Sequence, residues 1–269
     1  YSMHEMPDLF RIGDWWYLLI SEYSEKNKIV YRRSKSLNGP WLAPTDDAFD
    51  GRCYYAGRTA FDGKRRVLFG WVNTRDTWQD SAEWTWGGTF VPHEVFQRED
   101  GSLGVKLPDS IREAFEAPRL LAQQAVLETV DQNAELPLAQ IQHKFCKWEA
   151  WVRFSEGTRA FGVRLCQDER TGEAYDFRLL VGENRLSFDR IPFIPSDVNN
   201  KGLERPIRLS AGEEYRLQLI VDDDIAVLYV NGVALSVRMY RQPGTGISLY
   251  VTDGRLEILE SSISDRLKD

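Results

Sequence analysis

Glu5 is the residue of this 269-residue chain whose setting best suits chemistry. It stands in YSMHEMPDLF, immediately before an aromatic, strand-like run. Pro7 restricts Met6 to extended backbone, so the carboxyl group is expected to be presented just ahead of a strand. Met3, Met6 and Phe10 are apolar neighbours that would disfavour the charged form, as suits a general acid. An ordinary surface carboxylate is the alternative. Other common sites find no support. His4, His93 and His143 are scattered without metal-ligand spacing. There is neither a glycine-rich phosphate loop nor a Gly-x-Ser-x-Gly turn. Asp222-Asp223-Asp224 lacks the spread of oxygen ligands of a calcium loop and reads as a solvated turn. Cys53, Cys146 and Cys166 are too few and too widely spaced for a disulfide framework or a zinc site.

The elements that must position Glu5 are β-strands. From Asp8 to Pro108, short apolar runs alternate with turn signals. DLFRIGDWWYLLISEY reads as two strands about Gly13, and RTAFDGKRRVLFGWV repeats that layout about Gly63. Leu18-Leu19 and Leu68-Phe69 correspond at the same spacing of 50 residues. A repeat of roughly 40–50 residues with four strands is the pattern of a β-propeller blade. Only two such units precede Pro108, whereas a propeller closes with at least ~4. Seven of the nine tryptophans lie between Trp15 and Trp86. Aromatic faces fill cores, and they also stack on sugar rings.

Residues 109–117, DSIREAFEA, form the helix candidate, with Ser110 and Glu113 in capping-box spacing and Pro118 as its stop. Beyond residue 124, FGVRLCQ, YDFRLLVG, RLSFDR, YRLQLIV and IAVLYVNGVALSVRMY alternate apolar and polar residues, with a hairpin signal at Asn231-Gly232. The expected architecture is all-β: a partial β-propeller over 1–108, a helical linker over 109–123 and a β-sandwich over 124–269.

A formal charge of -7 argues against a nucleic-acid partner. No apolar run approaches the ~20 residues of a membrane span, and no signal-peptide pattern precedes the first strand. The cysteine pattern slightly favours a reducing, cytoplasmic compartment, though a lost upstream leader would leave the same pattern.

The ordered motifs resemble glycoside hydrolase family 32, the invertases, inulinases and levanases. HEMPDLF resembles the family's Glu-Cys-Pro-Asp motif, with Met6 in place of Cys. YYAGRTAFDGKRRVLFGWV resembles its Tyr-Ala segment and Gly-Trp strand. WGGTFVPHEVFQREDGSLGVKLP resembles its last blade, with His93 in place of Arg. VDDDIAVLYVNGVALSVRMY resembles a late hairpin of its sandwich, with Ala226 where Glu is common. The resemblance implies the last blades of a five-bladed propeller followed by a lectin-like sandwich. It implies that Glu5 is the general acid/base of a retaining hydrolase of fructofuranosides such as sucrose, inulin or levan. By position it also implies substrate contacts for Asp50, Tyr55, Arg58 and Trp86, with Trp71 packing between blades. The family's nucleophile and transition-state-stabilising aspartates precede the acid in Asp-Pro contexts. No proline here follows an aspartate. The chain is therefore expected to be a C-terminal portion whose partners are an oligo- or polysaccharide and the missing blades, on the same or a second polypeptide. No cofactor is implied, since proton transfer and carboxylate attack suffice. Alternatives are a non-catalytic carbohydrate-binding module, a hydrolase of another furanoside, or a sandwich acting only as a prop.

Overall fold

A computed structural model describes residues 3–52, 54–141, 145–193 and 203–268. Cys53 and His143 lie outside these. Strand accounts for 64% of the structure and helix for 5%, so the fold is all-β.

The N-terminal part holds two antiparallel meanders. Strands β1 (Met3–Ile12), β2 (Trp15–Tyr23) and β3 (Lys28–Ser34) form the first, in that order. Bridges Val30–Ala48 and Arg33–Leu42 seat the following segment where a fourth strand would lie. The second meander is β4 (Tyr54–Phe61), β5 (Arg66–Arg75), β6 (Trp84–Gln97) and β7 (Leu103–Lys106). Gly13 and Gly63, at φ +55° and +96°, make the equivalent hairpin turns of the two units, a backbone region that glycine enters without steric cost.

The two sheets share one core. Tyr17, Leu19 and Tyr31 from the first meet Tyr54, Leu68 and Val72 from the second. Leu68 is buried whereas its repeat counterpart Leu18 is only half-buried, and buried Leu19 corresponds to Phe69, which is 43% exposed. Successive residues of a strand point to opposite faces. Equivalent strands therefore turn opposite faces to the shared core, as adjoining propeller blades must.

Helix α1 (Asp109–Ala114) starts from Pro108, with no side chain capping it. Ser110 lies inside the helix, so the expected capping box does not form. Phe115 is already extended, and it bridges Leu267. Strand β8 (Arg119–Gln140) then pairs along the whole of β17 (Gly246–Ser264). This long ribbon joins two sheets. One continues through β10 (Ala160–Gln167), β11 (Ala174–Leu180), β12 (Arg185–Ile191) and β13 (Glu204–Pro206). The other continues through β9 (Phe145–Phe154), β14 (Glu214–Asp222), β15 (Ile225–Val230) and β16 (Val233–Arg238). β17 leaves β10 after Thr252 and joins β9 from Leu256, with Gly254 at φ +129° in between. A Cβ at Gly254 would lie 2.5 Å from Thr158 Cα, so the passage between sheets requires glycine. Trp148, Phe161, Phe177 and Leu219 pack between the two sheets.

The β15–β16 hairpin turns at Asn231-Gly232, both at positive φ (47° and 79°), the geometry of a type I′ turn. Both strands are buried on both faces. One face fills the sandwich, and the other brings Ile225, Val227, Tyr229 and Ala234 into the core of the meanders.

Candidate active site

Glu5 and Tyr55 are presented by matching irregularities in β1 and β4, the edge strands of their sheets. The β1–β2 register shifts between Glu5 and Asp8, and the β4–β5 register shifts between Tyr55 and Arg58. Met6 and Ala56 occupy the two bulges at φ 52° and 54°. Met6 is thus left-handed rather than extended as its place before Pro7 suggests. The bulge, which opposes three residue steps on β1 to two on β2, overrides the local preference.

The Tyr55 hydroxyl donates to Glu5 Oε2 at 2.7 Å. Burial, reinforced by the hydrogen bond to Glu5 and its charge, pushes the Tyr55 hydroxyl well above its ordinary value. The phenol therefore remains a donor. Three residues further along, Asp8 accepts from Thr59 N at 2.7 Å and from Thr59 Oγ1 at 2.6 Å, pinning the same two strands together. Gly57 N donates to Ser21 Oγ at 3.3 Å, and a Cβ on Gly57 would lie 2.4 Å from Ile29 Cδ1. The close approach of β4 to the first sheet thus requires a glycine beside the bulge.

Aromatic rings gather on the Tyr55 side of the pair. Trp86 stands edge-to-face against Tyr55 at 5.4 Å, Trp71 at 5.7 Å and Tyr23 at 5.9 Å between centroids. It is 62% exposed, a large apolar surface held by three rings and open to solvent. Trp71 is half-buried and packs on Tyr55 and Trp86, in line with a packing role. Arg58 is exposed and makes no hydrogen bond or ion pair among the described residues. The apolar surround expected of Glu5 is built differently. Met3 and Met6 are 48% and 39% exposed, and Phe10 belongs to the core between the sheets. Tyr55 on β4 meets Glu5 directly, and the rings of Tyr23, Trp71 and Trp86 cluster with Tyr55.

Asp50 does not belong to this group. It is 1% exposed. Its Oδ2 bonds His93 Nε2 at 2.9 Å and Ser236 Oγ at 2.5 Å, and its Oδ1 accepts from Ser236 N at 2.7 Å. With no oxygen open to a ligand, Asp50 joins the second meander to the sandwich, a correction to its expected substrate contact. His93 is the partner that sequence reasoning left unassigned. Its Nδ1 lies 2.8 Å from the Tyr229 hydroxyl. The Asp222–Asp224 turn also differs from a simply solvated one, because Asp224 receives the Arg238 guanidinium.

Two cavities among the described residues lie elsewhere. An apolar cleft of about 430 Å³ lies beside Phe90, Ile111 and Phe145. A polar groove of about 710 Å³ lies between Arg33, Asp46 and Asn184. Neither is lined by Glu5 or Tyr55.

No family model matches the chain. It is 29% identical to raffinose invertase of Escherichia coli over 279 aligned positions, covering 94% of this chain and 53% of that protein. It is 24% identical to sucrose-6-phosphate hydrolase of Escherichia coli over 277 positions, with the same two coverages. These similarities support a relationship to glycoside hydrolase family 32. The fold of the chain is similar to that of fructan 1-exohydrolase IIa from Cichorium intybus, with a TM-score of 0.71 and 15% identity, over 98% of this chain and 62% of that one. The chain thus spans about half the length of the curated relatives it matches.

Proposed function

We propose that the protein containing this chain is a retaining glycoside hydrolase of fructofuranosides, with Glu5 as general acid/base and the nucleophile outside these residues. The observation that carries this reading is the 2.7 Å bond from Tyr55 to Glu5 amid exposed aromatic surface. Tyr55 holds Oε2, and Oε1 has no hydrogen bond among the described residues. Protonated Glu5 gives its proton to the glycosidic oxygen as the sugar–oxygen bond breaks. The ionised group then takes a proton from the water that releases the sugar from the nucleophile. Trp86 offers its indole face to a sugar ring, and Arg58 offers donors to hydroxyl groups.

A retaining mechanism needs a second carboxylate about 5–5.5 Å from the first. Asp8 is engaged by Thr59, and Glu22 accepts from Ser24. Further propeller blades are expected to supply the missing group and to cover the outer sheet faces. Leu9 on β1 and Phe90 on β6 are 50% and 68% exposed there. The relatives' greater length is consistent with such blades. On the relatives' names, sucrose and its derivatives are the first substrates to assay.

Glu5→Gln in the full-length protein tests the reading. Turnover of sucrose or a fructan should fall by roughly 10²–10⁴-fold with sugar binding retained. Unchanged turnover would remove Glu5 from the chemistry. A full-length protein that binds sugars but hydrolyses none would favour the carbohydrate-binding alternative.

A further inference from the structure

Trp86 owes its position to an enlarged bulge. Asn73 pairs with Gly88 and Arg75 with Trp84, so Thr85, Trp86 and Gly87 together stand opposite Thr74. Such a bulge re-aims a side chain at the cost of ladder hydrogen bonds and needs other partners to fix it. Some are local: the Thr74 and Thr85 hydroxyls meet at 2.6 Å, and Asn73 Nδ2 donates to Thr85 O at 3.2 Å.

The remainder come from the sandwich. Arg238, the last residue of β16, is 6% exposed overall and its side chain 2%. It donates to Val72 O at 3.2 Å, to Asn73 O at 3.3 Å and to Thr89 Oγ1 at 2.8 Å, spanning the rung that closes the bulge on one side. Asp224 holds the guanidinium in place through both carboxylate oxygens, at 2.6 and 2.7 Å. On the opposite side of the bulge, Arg75 N donates to the Tyr240 hydroxyl at 2.6 Å. Tyr240 N in turn donates to Asp80 at 3.0 Å.

We propose that Arg238 is a positioning residue for substrate recognition: from the sandwich it fixes the β5–β6 bulge, and with it the Trp86 wall beside Glu5. The sandwich then takes part in sugar binding without touching sugar, unlike a prop that only covers the flank. The inference rests on the glycosidase reading for its kinetic consequence but not for its geometry. Lysine cannot replace this arginine, because a single ammonium does not span two carbonyls, a hydroxyl and a carboxylate.

The test uses the full-length protein with Arg238→Gln and the milder Arg238→Lys. Val152→Ala, a cavity variant in the sandwich core, serves as a control for general destabilisation. The readouts are KM and kcat on sucrose and the far-ultraviolet exciton band of the Trp71–Trp86 pair, defined by subtracting the spectrum of Trp86→Phe. Arg238→Gln should raise KM roughly tenfold with kcat changed less than about threefold, and should abolish the band. Arg238→Lys should move both in the same direction and decides the matter should the glutamine variant not fold. Val152→Ala should lower the melting temperature and leave KM and the band unchanged. Arginine variants that melt early but keep both KM and the band would overturn the proposal. If the full-length protein turns over no fructoside, the glycosidase reading falls and the exciton band alone decides the positioning role.

Discussion

Glu5 and Tyr55 lie 50 residues apart in the chain, occupy the same place in the bulged first strands of the two meanders, and hydrogen-bond to each other at 2.7 Å. A repeat that brings equivalent positions together lets one unit carry the acid and the next carry the group that orients it. Equivalence of backbone combined with difference of side chain produces the pair.

Tyr55→Phe should therefore damage catalysis while leaving the fold intact. The ring's contacts with Trp71 and Trp86 survive, and only the donor to Glu5 is lost. A hydrogen bond to a charged group contributes about 1.5–3 kcal/mol, so kcat/KM of the full-length protein should fall by about 10–160-fold. Initial rates on sucrose, with melting temperature as control, check this. A rate within about twofold of wild type would mean that Tyr55 does not orient the acid.

The sequence reveals much of this arrangement, and its failures have physical causes. Gly13, Gly63 and Asn231-Gly232 were legible because positive φ demands those residue types. Strand β8 was not. Among the described residues its only ladder is with β17, it is largely exposed, and Gln124 and Asp131 at positive φ break its alternation. The Met6 bulge was hidden because pairing with β2, not local preference, decides it. Asp50 was misread because a buried aspartate and a ligand-binding one look alike until His93 and Ser236 are seen beside it.

Trp86→Ala should weaken sugar binding more than it slows chemistry. Aromatic contacts contribute about 0.5–1.5 kcal/mol beyond their buried area. KM for sucrose should thus rise by at least about twofold, and Trp86→Phe should recover part of the loss. If KM were unchanged and only stability fell, Trp86 would be packing rather than recognition.

Asp50 gives the protein an acid-sensitive joint. Burial would raise its pKa, but the hydrogen bond and charge of His93 and the bonds from Ser236 outweigh that and hold it below the ordinary 3.8. A carboxylate depressed by folding contributes stability above its unfolded pKa and loses it as the pH falls through the folded one. Asp50→Asn should cost about 3 kcal/mol or more near neutral pH, because it disturbs a fully buried, hydrogen-bonded pair. The gap between variant and wild type should narrow as pH falls below 3.8. Urea midpoints at several pH values measure the gap. A constant gap would mean that the lost interaction is not the ionised carboxylate.

Gly88 is the position where the bulge tolerates no side chain. A Cβ there would sit 1.9 Å from Val72 O, the same carbonyl that accepts from Arg238. Backbone cannot yield as a flexible side chain would, so Gly88→Ala must open the Asn73–Gly88 rung or displace β5. The cost should reach the upper range for single substitutions, about 3 kcal/mol or more. By contrast, Gly87 at φ +88° has no atom within 4 Å of its added Cβ, so Gly87→Ala should pay only the left-handed backbone penalty of about 1–2 kcal/mol. Thermal or urea unfolding of the two variants side by side checks the order. A Gly88→Ala protein as stable as Gly87→Ala would show that the strands are not locked at this rung, and Arg238 would then have no fixed carbonyl pair to hold.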